Sequence, residues 1–212
     1  MKLLLVGATG LVGSHVLKLA LNDQRISRVV VLSRSAITKI ETDPKLDIIQ
    51  VDFDDLPSSA EWWQVDSVIC TLGTTMRKAK TKTQFRRVDY DYPLAVATIA
   101  KQQGASSFVL NSSMGANPSS RLFYNQVKGD IEAAITKINY QSLTILRPGL
   151  IEGQRNEKRL GEQIMINFLK VFSGLLPKSM QPNLAQNIAQ QMIEAAIEQK
   201  KGITFIRSKQ LI

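Results

Sequence analysis

The chain begins with an uninterrupted apolar run, residues 3–6, and short apolar runs recur at 28–32, 47–51, 66–72, 107–111, 142–146 and 203–206. Runs of this length without polar alternation are expected of strands buried on both faces, as in parallel sheets covered by helices. Between them lie longer stretches whose apolar residues fall three and four apart. These predict helices over 11–22, 88–103, about 121–137 and 184–199. Pro93 falls inside the second of these, so that helix is expected either to begin near 91–93 or to be kinked there, and Gly104 is a stop signal. Strand and helix alternate almost throughout, which predicts an α/β fold with a mostly parallel sheet.

Three glycines, Gly7, Gly10 and Gly13, separate the first apolar run from the first helical pattern. Strand, glycine turn, helix is the context in which such spacing signals phosphate binding. Residues without side chains let a pyrophosphate approach main-chain N–H groups, and the helix start offers unpaired donors and a positive dipole end. The loop residues Gly7, Thr9, Gly10, Leu11, Val12 and Gly13 are therefore candidate cofactor contacts. The expected architecture is a Rossmann-like doubly wound parallel sheet with helices on both faces and a small helical C-terminal extension. At 212 residues it is read as one domain, 1–212, with a substrate-side helical part over about 150–200 that includes an amphipathic stretch at 159–176.

In such a fold the end of the second strand meets the adenosine ribose. An acid there selects the 2′-hydroxyl, whereas a guanidinium suits a 2′-phosphate. The chain has Ser33 and Arg34 at that point, so NADP(H) is expected in preference to NAD(H). Leu72, Gly73 and Thr74 follow the fourth strand, where a glycine lets the nicotinamide ribose and pyrophosphate pass close by. Arg147, Pro148 and Gly149 end the sixth strand on the same side of the sheet.

The apolar fraction, 44%, is that of a globular protein, and no apolar run is long enough to span a bilayer. The leucines after Lys2 are cut short by Gly7 and lack a small-residue cleavage site, so they read as a strand. The single cysteine, Cys70, excludes an internal disulfide and leads to an expected cytoplasmic location; it reads as a small core residue. The lone histidine, His15, lacks triad partners, no metal constellation can be assembled, and Trp62 carries no cofactor logic. A net charge of +9 comes partly from a basic stretch at 76–87, expected as a loop, and from a second cluster at 155–159. No zinc-finger or RNA-recognition spacing accompanies it, so no nucleic-acid partner is expected. A basic surface attracts anions in general, a phosphorylated cofactor among them.

Tyr124 and Lys128 lie four apart on a predicted helix and so share a face, while Ser113 follows the fifth strand. Ser112 competes for the serine role, because register past a strand end is open by one residue. With these residues in view, the segments GATGLVG, LGTT, RVDYDY, NSSMGA, YNQVKG and RPG fall in the order and spacing of known enzymes. The chain resembles the atypical short-chain dehydrogenases/reductases, and within them the HIV Tat-interacting-protein-like oxidoreductases. The resemblance implies Ser113, Tyr124 and Lys128 as a catalytic trio, Tyr124 and Lys128 also as cofactor contacts, and Asp52 with Phe53 near the adenine. It implies NADPH-dependent reduction of a carbonyl or similar group on a small-molecule substrate. A phenol can give the proton, an adjacent ammonium favours the phenolate, and a serine hydroxyl can hold the substrate oxygen. The wider superfamily's helix-four asparagine is missing; Asp89 stands in that region, as a substitute or as a helix-start acid. The alternative expectation is an NADP(H)-sensing regulatory or scaffold protein with a protein partner, favoured if the 76–87 stretch blocks the site. Monomer and homodimer are both left open.

Overall fold

A computed structural model describes residues 1–37, 43–152 and 181–212. Seven parallel strands form the main sheet: β1 (Lys2–Val6), β2 (Arg28–Ser33), β3 (Leu46–Gln50), β4 (Ser67–Cys70), β5 (Ser107–Asn111), β6 (Ser142–Arg147) and β9 (Gly202–Arg207). A separate two-stranded parallel pair joins β7 (Ile151–Glu152) to β8 (Asn183–Leu184). The main order is β3-β2-β1-β4-β5-β6-β9, so the chain winds outward from β1 in one direction and from β4 in the other. This is the doubly wound Rossmann-like arrangement, with its ligand crevice expected outside the strand ends where the order reverses.

The period-two geometry of a strand explains the continuous apolar runs. Leu4, Val6, Val30 and Leu32 enter one core with Val68, Phe108, Val96, Ile131 and Ile135. Leu3, Leu5, Val29 and Val31 point the other way and meet Val12, Val16, Ile188, Met192 and Ile193. The first core belongs to α4 (Tyr92–Gln102) and α5 (Phe123–Lys137), the second to α1 (Leu11–Asn22) and α6 (Ala185–Glu198). Cys70 is fully buried in the first core, and burial pushes its thiol up to about 12, which leaves it inert. Trp63, also fully buried, gives its indole N–H to the Pro57 carbonyl at 2.6 Å.

Two expectations need correction. Of the substrate-side part expected over about 150–200, α6 is instead a core helix, because Ala189, Met192 and Ile193 supply the apolar face that covers α1. The 159–176 stretch and the 155–159 cluster lie outside the described residues. The basic 76–87 stretch is not a loop but carries α2 (Met76–Ala79) and α3 (Lys82–Arg86). The hydroxyls of Thr75 and Thr81 start these helices by accepting the N–H groups of Lys78 and Gln84. Helix continues from α3 through a wide turn, Arg87–Asp91, into α4. In that turn the Tyr92 N–H bonds back to the Arg87 carbonyl, five residues away. Pro93 is the cause: it lacks an N–H, and its ring would strike the carbonyl four residues back, that of Asp89, in a regular helix.

Candidate functional site

The glycine turn is held against β4. Gly7 has φ +90°, and a Cβ there would lie 2.6 Å from the Thr71 hydroxyl and 2.8 Å from its carbonyl carbon. Thr71 locks the contact from its side, with Oγ1 donating to the carbonyls of Val6 and Gly7 at 3.0 and 3.1 Å. Gly13 packs α1 onto the same turn: a Cβ there would meet the Gly7 carbonyl oxygen at 2.1 Å. Gly10 starts α1 without any side-chain cap. The first-turn N–H groups therefore face the crevice with no capping oxygen, as an anion site requires. Gly13→Ala is expected to cost about 1–3 kcal/mol, because the clash is with backbone. Denaturant unfolding measures that loss, and calorimetry should show nucleotide affinity falling with it.

From this turn a cleft runs both ways. One half, a groove of about 550 Å³, is lined by Gly7, Thr9, Gly10, Ser33, Arg34, Phe53, Leu72, Gly73 and Thr74 among others. The second half, about 820 Å³, shares Thr9, Gly10 and the β4 end and adds Leu11, Val12, Asn111, Ser112, Tyr124, Lys128 and Ile151. The crevice thus falls at the β1–β4 switch in strand order, and its dimensions suit an extended dinucleotide with space beyond it.

On α5, Tyr124, Lys128 and Glu132 form one stripe at four-residue spacing. Tyr124 is exposed, with its ring edge-on to Phe85 at 5.8 Å. Lys128 is buried and its Nζ meets Asp89 Oδ1 at 2.7 Å, while Asp89 Oδ2 accepts the Thr74 N–H at 2.7 Å. Burial works against the Lys128 charge. The Asp89 carboxylate and the Tyr124 hydroxyl outweigh it, so Lys128 titrates above the ordinary lysine value and stays an ammonium. The wide helical turn that Pro93 imposes is what carries Asp89 here, at the head of β4. Glu132, buried, accepts the Ser112 hydroxyl and pairs with Arg147.

Several expected contacts lie elsewhere. Asp52 is exposed and its carboxylate caps its own turn through the Asp54 N–H at 2.9 Å, while the neighbouring Phe53 lines the groove. Arg147 is drawn off the cleft by Glu132 and stacks 4.7 Å over the Phe205 ring. Pro148 accepts the Met114 N–H, and the Gly149 N–H goes to Asn183 Oδ1 at 2.7 Å, so both shape the loop rather than line the cleft. Gly13 lies beneath the turn. Ser113 is buried just behind the lining, with its Oγ unpaired among the described residues. Sequence reasoning missed Thr71, Asn111 and Glu132. Only Glu132 had a signal, the i, i+8 position after Tyr124.

Fold and cleft together define a dinucleotide-binding protein of the Rossmann type. A family model described as NAD(P)H-binding matches residues 7–165. The HTATIP2 protein of Rattus norvegicus is 38% identical over 178 residues, covering 82% of this chain and 71% of that one. The FMP52 protein of Coccidioides immitis, named as mitochondrial, is 33% identical over 213 residues, covering 93% and 86%. The chain belongs to this NAD(P)H-binding, oxidoreductase-like family. Among solved structures, MoeE5 in complex with UDP-glucose and NAD superimposes with a TM-score of 0.73 at 16% identity, covering 97% of this chain and 75% of that one. A UDP-glucuronic acid 4-epimerase from Bacillus cereus in complex with NAD also gives 0.73 at 16%, covering 99% and 78%. At such identity these two establish the fold alone. The cytoplasmic location expected from the lone cysteine is overturned by the fungal relatives, which are named as mitochondrial. One buried thiol reports only that no internal disulfide forms. Among the described residues, no helix is long and apolar enough to cross a membrane.

Proposed function

We propose that the protein is an NADPH-dependent reductase of a carbonyl or similar group on a small molecule. The observation that carries this reading is the exposed phenol of Tyr124 above an ammonium, Lys128, which Asp89 keeps charged at the cleft floor. The uncapped α1 start and the Gly7–Thr71 contact fit a dinucleotide diphosphate, and Ser33 with Arg34 fits a 2′-phosphate at the far end. When bound, the dinucleotide supplies the hydride.

The chain's own groups supply the rest. Tyr124 gives its phenolic proton to the substrate oxygen, and the Lys128 ammonium stabilises the phenolate that remains. Lys128, which lines the cleft, would also hold a ribose hydroxyl of the bound dinucleotide. Ser112 lines the cleft but its hydroxyl is engaged by Glu132, whereas the buried Ser113 hydroxyl is uncommitted among the described residues; the serine role is given to Ser113, which would turn from behind the lining to meet the substrate oxygen. Asp89 takes the place of a helix-four asparagine as the residue that positions Lys128 and the β4 end. The α2–α3 segment lines the cleft without filling it, so the blocked site that would favour sensing without turnover is absent among the described residues.

Titration of the purified protein with NADPH and NADH, by calorimetry, tests the reading. NADPH is expected to bind more tightly. Arg34→Asp should weaken it by about 1.5–3 kcal/mol, roughly ten- to a hundredfold, while NADH is little affected. Failure of the wild type to bind either nucleotide would sink the proposal.

A further inference from the structure

The basic stretch at 76–87 has no part in the chemistry proposed above, yet its charges are not all alike. Arg86 is paired with Asp130 at 2.8 Å and Arg87 with Asp54 at 2.8 Å, and neither lines the adenosine groove. Lys80 instead lines that groove together with Ser33 and Arg34. Among the described residues neither Lys80 nor Arg34 has an ion-pair partner, whereas Arg86 and Arg87 do. The two come from opposite sides of β1, Arg34 after β2 and Lys80 in the crossover after β4. Two unneutralised cations facing one groove repel each other until an anion lies between them.

The backbone of Lys80 adds an independent observation. Its φ is 64° and its ψ −35°, and the Thr81 N–H closes a three-residue turn onto the Ala79 carbonyl at 2.7 Å. That turn is strained for any residue with a Cβ, and glycine would adopt it without penalty. A lysine there gives up stability and delivers a cation to the groove wall.

We infer that Lys80 is a second reader of the cofactor's 2′-phosphate, acting with Arg34 from across the groove. The inference rests on the NADPH reading above and makes Lys80 a specificity-determining residue. The charge on Lys80 favours NADPH over NADH because only the former carries a dianion at that end, whereas the diphosphate common to both is held by the α1 start.

The test uses the full chain and two variants, Lys80→Gly and Lys201→Glu, titrated with NADPH, NADH and adenosine 2′,5′-bisphosphate. Lys80→Gly should weaken NADPH and the bisphosphate about five- to tenfold, leave NADH within about twofold, and raise the melting temperature by relieving the turn. Lys201→Glu, an exposed charge change away from the groove, should leave all three affinities near wild type. Equal losses for NADPH and NADH, or none, would overturn the inference while leaving the reductase reading intact. Equal effects of Lys80→Gly and Lys201→Glu would overturn it too, as a bulk field effect. A wild type that binds neither dinucleotide would overturn both readings together.

Discussion

Asp89→Ala lowers the stability of the protein by about 3–5 kcal/mol, because it leaves the buried Lys128 ammonium without its counter-charge. The same change removes the acceptor of the Thr74 N–H, so the end of β4 loosens with it. Asp89→Asn keeps an acceptor for Thr74 and should cost less. The pH dependence separates this account from a simple packing defect. In the wild type Lys128 titrates above its ordinary 10.5, so its contribution is complete below that value and is lost as pH rises through the higher folded-state value. In Asp89→Ala the main group opposing burial is gone, so the lysine is expected to fall below 10.5; the sign then reverses and stability falls as pH is lowered from 10.5. Chemical denaturation of both proteins between about pH 7 and 10 measures the two slopes. Parallel slopes would show that Lys128 is not held by Asp89.

Tyr124→Phe is expected to lower the turnover number by about 10²–10⁴-fold, the usual worth of a positioned proton donor. NADPH affinity should stay within about twofold and stability within about 0.5 kcal/mol, since Tyr124 is exposed and phenylalanine keeps the ring contact with Phe85. The assay follows NADPH absorbance with a panel of aldehydes and ketones, and the split between unchanged binding and lost turnover is what identifies a proton donor. A Phe variant that reduces the same substrates at the wild-type rate would assign the proton to another group.

The elements were legible where local physics decides them. The predicted strand at 107–111 and helix at 11–22 coincide with β5 and α1, since a continuous apolar run or a 3.6-residue stripe admits little else. The third strand is shifted by one residue and the fourth is three residues shorter, because residues past a strand end, such as Leu72, serve the cleft instead of the ladder. Pro93 signalled a disturbance, and α4 begins at Tyr92, inside the expected 91–93, after the wide turn over Arg87–Asp91. What no local pattern conveyed is that this turn brings Asp89 onto Lys128. Arg147 was misplaced for a related reason: its partner Glu132 lies on another element, and an ion pair across elements leaves no spacing signature.

By itself, the amino-acid order determined the parallel sheet, the glycine turn, and Tyr124 and Lys128 on one helix face. Each is a matter of short-range geometry: strand pleat, chain reversal without a Cβ, or helical pitch. Only the tertiary structure decided that Lys128 is charged and pinned, that Ser112 is engaged while Ser113 is not, and that Lys80 faces the groove with Arg34. Those outcomes depend on charges and donors brought together from residues tens of positions apart. Their strength is set by burial, which appears only once the sheet and its helices have closed around them.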